Sequence, residues 1–291
     1  MFALNVPRMV CLPSLKILHL DKIVFTDGGS TKRLVSGCPV LEDLVLIACY
    51  WEDHNFNVFN ISALSLKSLT IHSDIRNYKF VFNTPNLQYL QYFDYVAAEG
   101  YSMDNFNSLV DADIKLMSNI EYGIGGSIIG DKSVEEVNVV KFLGGISKVQ
   151  RLYFHSDSIE ALHGCSLPNF YHLTYLELGV LDEGDTDGWE LLPELLERAP
   201  KLETLVCKEL LYHGHDCYTK HQFRWHTPSI VPSCLLFHLK VIEIRYFYGT
   251  SDELKMAGYF LKNAKVLKRF VIRSARDQQS KICNTLLGLH K

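Results

Sequence analysis

The stretch Leu12-Pro-Ser-Leu15-Lys-Ile-Leu18-His-Leu20 contains a phrase, L-x-x-L-x-L, that returns along the whole chain. It recurs as Leu41-Glu-Asp-Leu44-Val-Leu46, Leu66-Lys-Ser-Leu69-Thr-Ile71 and Leu87-Gln-Tyr-Leu90-Gln-Tyr92. Looser copies begin at Leu109, Val149, Leu173, Leu202, Leu239 and Leu267, making ten in 291 residues. Successive starts are 26, 25, 21, 22, 40, 24, 29, 37 and 28 residues apart. Few folds tolerate such a rhythm.

The last two apolar positions of each copy are two residues apart, so in a strand they share a face and the residue between them points away. One coil cannot bury that face alone, so neighbouring coils must stack. The period fits one strand plus one helix or turn per coil. The expected class is therefore α/β: a leucine-rich-repeat solenoid with a curved parallel sheet on one side and helices or loops on the other. The long intervals place insertions near 117–145 and 211–229. Cys49 stands where such repeats carry Asn or Cys, and Asp74 and Asp157 fill the same slot in their coils.

Composition narrows the class further. Hydrophobic residues make up 47% of the chain, enough for a sizeable core, and the net charge of −4 provides no basic field for nucleic acid. Eight cysteines are scattered without a C-x-x-C pair, which fits reduced, buried thiols in the cytoplasm or nucleus. No leader and no membrane-length apolar run is read, so no membrane partner is expected. Asn60-Ile-Ser62 is read as a chance glycosylation sequon.

Helices are expected at Thr31–Ser36, from a Ser133–Glu136 capping box to Leu143, at Trp189–Arg198 with Leu191, Leu192, Leu195 and Leu196 on one side, and at Asp252–Asn263.

Three short stretches imitate chemical motifs. His213, His215, Cys217 and His221 lie within nine residues and are the weak metal candidates, but their spacing matches no paired zinc pattern. A polar inter-coil loop is the preferred explanation of them. Gly125–Ser133 falls short of a phosphate loop because Asp131 occupies the lysine position. Glu183–Glu194 falls short of a calcium loop, and a helix start explains its acids. No catalytic residues and no cofactor are expected. The basic group Lys262, Lys265, Lys268, Arg269, Arg273 and Arg276 could meet an acidic partner, but reads first as solvated surface.

The alternation that buries the leucines exposes their strand neighbours. Tyr89, Gln91, Phe93, Arg151, Tyr153, His155, Tyr175, Glu177, Glu243 and Arg245 are the expected partner-binding set. Asp111, Asp113, Lys115, Arg269 and Arg273 share the face. Aromatic and arginine side chains dominate interface energetics.

Leu12-Pro-Ser-Leu-Lys-Ile-Leu-His-Leu20, Ser36-Gly-Cys-Pro-Val-Leu-Glu-Asp-Leu-Val-Leu46, Val231-Pro-Ser-Cys-Leu235, Leu239–Ile244 and Tyr259–Ala264 together resemble the plant F-box/FBD/leucine-rich-repeat family. The resemblance implies repeats over 1–222, an FBD module over 223–275 continuing the solenoid, and a tail over 276–291. It implies a non-enzymatic protein-interaction scaffold, the substrate-binding part of an F-box-type ubiquitin-ligase receptor. No F-box helices are read in the residues before the first strand. A cullin–RING adaptor is thus an expected partner only of a longer form that carries an F-box. The competing readings are a small-molecule or metal-dependent sensor built on the insertions, and a fragment without independent function.

Overall fold

The computed structural model describes residues 2–52, 58–73, 78–103, 106–118, 121–122, 128–129, 131–155, 157–162, 164–179, 191–208, 225–247 and 249–274. The chain divides into two compact units, Met1–Val149 with Gly164–Pro168, and Gln150–His163 with Asn169–Lys291.

Most of the phrases open on a turn. The first leucine's amide donates to a carbonyl three residues back: Leu15 to Leu12, Leu41 to Cys38, Leu87 to Thr84 and Leu202 to Ala199. Pro13, Pro39, Pro85 and Pro200 occupy the second position of these turns, where the fixed φ of proline is already correct. The next residue links one coil to the following one through its carbonyl. Lys16 O accepts from both Glu42 N (2.8 Å) and Asp43 N (3.0 Å). Glu42, Lys67 and Gln88 repeat this toward their successors, as do Gln150, Thr174, Glu203 and Lys240.

The first unit begins with β1 (Phe2–Leu4), β2 (Ile17–Asp21), β3 (Ile23–Phe25), α1 (Ser30–Ser36), β4 (Asp43–Ile47) and β5 (Tyr50–Trp51). It continues with β6 (Val58–Ser62), β7 (Ser68–His72), β8 (Lys79–Asn83), β9 (Tyr89–Tyr95), β10 (Tyr101–Ser102) and β11 (Asp111–Met117). A short antiparallel pair, β12 (Glu121–Tyr122) with β13 (Ile128–Ile129), and α2 (Lys132–Gly145) follow. Strands β2, β4, β7, β9 and β11 form one parallel wall in that order. The register stacks Leu18, Leu44, Leu69, Leu90 and Ala112 in one row and Leu20, Leu46, Ile71, Tyr92 and Ile114 in the next. From Leu44 onward these side chains are buried, as the two-residue spacing requires. On β2, which ends this order, Leu18 and Leu20 are only half-buried and Ile17 is 65% exposed.

Behind the first coils, helices or loops are expected, yet among the described residues only α1 is helical there. The remaining space holds two small parallel sheets, β1-β3-β5 and β6-β8-β10. Their sequences account for the difference. Val58-Phe-Asn-Ile-Ser and Lys79-Phe-Val-Phe-Asn alternate with period two, burying Phe59, Ile61, Phe80 and Phe82. The rings are in contact: Trp51 meets Phe25 at 5.5 Å and Phe59 at 4.8 Å, and Phe80 meets Phe59 at 5.1 Å and Tyr92 at 5.5 Å.

Helix α2 also starts differently from the expected Ser133–Glu136 box. Asp131 is the N-cap, accepting from Ser133 N and Val134 N, and its carboxyl is held below the ordinary range, chiefly by the Ser133 hydroxyl. A carboxylate at the N-cap satisfies two orphan amides and also suits the helix dipole, so it takes precedence over a serine two residues later. Phe142 and Leu143 are buried, and Gly144 and Gly145 form the final turn.

The second unit contains β14 (Arg151–Phe154), α3 (Asp157–Leu162), β15 (Tyr175–Leu178), α4 (Leu191–Arg198), β16 (Thr204–Cys207), α5 (Ser233–Phe237), β17 (Val241–Phe247), α6 (Ser251–Asn263) and β18 (Arg269–Ser274). Its five described strands run parallel in chain order. Leu152, Leu176, Leu205, Ile242 and Phe270 form one inner row; Phe154, Leu178, Cys207, Ile244 and Ile272 form the other. Helix α4 buries the expected Leu191, Leu192, Leu195 and Leu196. Helix α6 opens on a capping box: Glu253 N donates to Thr250 Oγ1 at 3.3 Å and Thr250 N to Glu253 Oε2 at 2.7 Å. It buries Met256, Ala257, Tyr259 and Phe260, while Leu254 and Leu261 are half-buried.

The described cysteines, Cys11, Cys38, Cys49, Cys165, Cys207 and Cys234, are free, and all but Cys11 are buried. Burial pushes the Cys207 and Cys234 thiols up to about 12. No described helix is long and apolar enough to cross a membrane.

Candidate interaction surface

The strand face opposite the leucine rows is built by the same alternation, and in the first unit it carries Tyr89, Gln91 and Phe93, each half-buried. Gln91 stands at the centre of a cross-strand chain. Its Nε2 donates to Asp113 Oδ2 at 2.8 Å, and its Oε1 lies 2.9 Å from His72 Nε2. An ionised carboxylate only accepts, so the amide must turn its nitrogen to Asp113 and its oxygen to His72. His72 therefore carries its hydrogen on Nε2. The imidazole also stacks on Phe93, centroids 4.4 Å apart and planes within 7°. Three strands thus present one ordered polar and aromatic row.

In the second unit, Arg151 is exposed and Tyr153, His155, Tyr175 and Arg245 are half-buried. Tyr153 and Tyr175 pack with centroids 5.3 Å apart. Tyr175 Oη donates to Glu177 Oε2 at 2.8 Å. Burial, and then the Glu177 carboxylate, push this phenol above its ordinary range.

Glu177 and Glu243 lie on the expected face, but they are not presented to solvent: they are only 8% and 7% exposed. Cations flank both and draw them onto the sheet. Lys208 pairs with Glu177. Arg245 Nε and Arg273 Nε bond Glu243 Oε1 at 2.8 and 3.0 Å. Arg245 first, then Arg273, holds the Glu243 carboxyl below the usual range. The groups that reach solvent are the cations: the Arg273 side chain is 65% exposed.

His72 and Lys208 are absent from the expected set, although alternation carried back to coil three and forward from Val206 points to both. His213, His215, Cys217 and His221 lie outside the described residues, as do residues 125–127 and 130 of the phosphate-loop imitation and 183–190 of the calcium-loop imitation. Among the described residues no cluster of His, Cys, Asp or Glu could hold a metal ion. A shallow cleft of about 270 Å³ beside α2 is lined by Met103, Phe106, Asn107, Lys141, Gly144, Gly145 and Lys148, and so includes none of the expected residues.

Comparison with known proteins gives two family matches. Residues 226–272 match the FBD family, and residues 2–112 match the leucine-rich repeats of FBD-associated F-box protein At5g56370. Among curated relatives from Arabidopsis thaliana, the F-box/LRR-repeat protein At3g59210 is 39% identical over 91% of this chain and 57% of its own length. The F-box/LRR-repeat protein At3g59200 is 36% identical over 90% and 53%. The F-box/FBD/LRR-repeat protein At4g00160 is 32% identical over 91% and 54%. The chain spans a little over half the length of these relatives. No solved structure gives a significant match.

Proposed function

This chain belongs to the plant F-box/FBD/leucine-rich-repeat family, and on that premise we propose that it is a non-enzymatic scaffold that holds a protein partner on its strand faces. The observation that carries the reading is the order of those faces. Opposite each leucine row stand aromatic and charged side chains that already contact one another, as Tyr153 does Tyr175 and Gln91 does Asp113. A prearranged surface loses little entropy on binding.

Each wall is, in this reading, a stretch of leucine-rich-repeat solenoid, with residues 223–275 as the FBD module. Parallel pairing and the doubly accepting lead-in carbonyls support it. In a longer form carrying an F-box, the partner would be a ubiquitin-ligase substrate and the chain its receptor. Free, buried cysteines suit the cytoplasm or nucleus.

The test is capture from plant extract with the 291-residue chain and with Tyr153→Ala plus Tyr175→Ala, both checked for folding by circular dichroism. The reading expects a specific protein retained by the first and lost by the second. Equal recovery by both baits overturns it.

A further inference from the structure

The strand face of the second unit is unusually cationic for a chain whose net charge is −4. Its described positions hold Arg151, Lys208, Arg245, Arg269 and Arg273, against only Glu177 and Glu243. Both carboxylates are buried and engaged, so the excess positive charge is what meets solvent.

Glu243 is the organising group. Two guanidiniums converge on its Oε1, each through Nε. That mode uses one nitrogen of each and leaves the paired amino nitrogens for a second acceptor. One carboxylate cannot neutralise two guanidiniums, so the pair keeps a net positive charge while its geometry is fixed from below. Guanidinium forks held in this way match the two oxygens of an incoming carboxylate. Beside them Tyr153 and Tyr175 offer an aromatic shelf on which a peptide backbone can lie.

We propose that this face binds an extended acidic peptide of a partner protein, its glutamate or aspartate carboxylates received by Arg245 and Arg273. The proposal rests on the strand face being the partner surface and adds the chemistry of what is recognised.

The test is fluorescence anisotropy on the full chain with a labelled peptide alternating glutamate and serine. The same peptide with glutamine for glutamate and a single-stranded oligonucleotide serve as the other probes. The acidic peptide should bind at least about tenfold more tightly than the neutral one, with affinity falling as salt rises. Glu243→Gln with Arg245→Gln and Arg273→Gln removes the clamp without orphaning a buried charge, and should cost about tenfold. Arg273→Gln alone leaves Glu243 paired with Arg245, so the fold stands, and should cost several-fold. Lys262→Gln with Lys265→Gln, cations in the last turn of α6 and just beyond it, should change nothing.

Neutral peptide or oligonucleotide bound as tightly as the acidic peptide would overturn the proposal, as would clamp variants that bind it unchanged. If the tyrosine variant loses a natural partner while the wild-type chain ignores the acidic peptide, the charge chemistry fails and the scaffold reading stands.

Discussion

Asn138 Nδ2 lies 2.9 Å from the Ala97 carbonyl oxygen, a bond that ties α2 to the loop after β9 across 41 residues. The same nitrogen is 3.1 Å from Ala98 O. Gly100 completes the fit: its φ is +88°, and a Cβ there would stand 2.9 Å from Asn138 Oδ1. Replacing Asn138 by leucine removes both bonds, leaving Ala97 O with only the Gly100 amide (3.0 Å) as donor and burying no new polar partner in their place. The expected loss is about 1–3 kcal/mol of stability, read as a lower urea midpoint at unchanged slope. Gly100→Ala should lower the midpoint too, since it combines left-handed strain with crowding.

The leucine rows predict a sharp contrast between neighbours in the phrase. Leu44 is 1% exposed and lies between Leu18 and Leu69 in the register. Leu44→Ala should cost about 2–5 kcal/mol through lost burial and the cavity left behind. Ile17→Ala, at an exposed position on β2, should stay within about 0.5 kcal/mol. Thermal and urea unfolding of the two variants side by side would check both.

Acid should weaken the first unit through two carboxylates. Glu42 is bonded by Lys16 (2.8 Å) and Lys67 (2.7 Å), which hold its carboxyl at about 2 against an ordinary 4.5. Asp27, gripped by Arg33, is likewise held at about 2 against 3.8. A depressed carboxyl contributes its stability above its unfolded value and loses it as pH falls toward its folded value. The contribution should therefore fade between about pH 4.5 and pH 2. Glu42→Gln should flatten the dependence of the urea midpoint on pH across that window; an unaltered slope would show that the bridge contributes nothing.

Thr250→Ala removes half of the capping box on α6. With the Glu253 amide losing its acceptor, about 1 kcal/mol of stability should go. Serine at the same position should restore most of it, which separates the cap from simple loss of side-chain volume.

The walls were legible because their cause is local. A two-residue spacing of apolar side chains determines which face is buried, and Leu44, Leu46, Leu176 and Leu178 are indeed all buried. The second layer in the first unit was less legible, although Phe59, Ile61, Phe80 and Phe82 alternate as clearly as the leucines. The repeat points to helices or loops behind the wall, whereas the period of two within these five-residue stretches points to strands. The burial of Glu177 and Glu243 could not be read from spacing at all. It depends on Lys208, Arg245 and Arg273, and the last two converge on Glu243 from strands of different coils. Periodicity gives a side chain its side, and only tertiary neighbours decide whether it lies flat or stands out.

The lead-in carbonyl that accepts two amides from the next coil has an evolutionary corollary. Since that junction is local to adjacent coils, duplicating or excising a coil lengthens or shortens a wall without resetting the alignment of the others. A gene can then gain new strand face by unequal exchange, one module at a time, while every retained junction still closes.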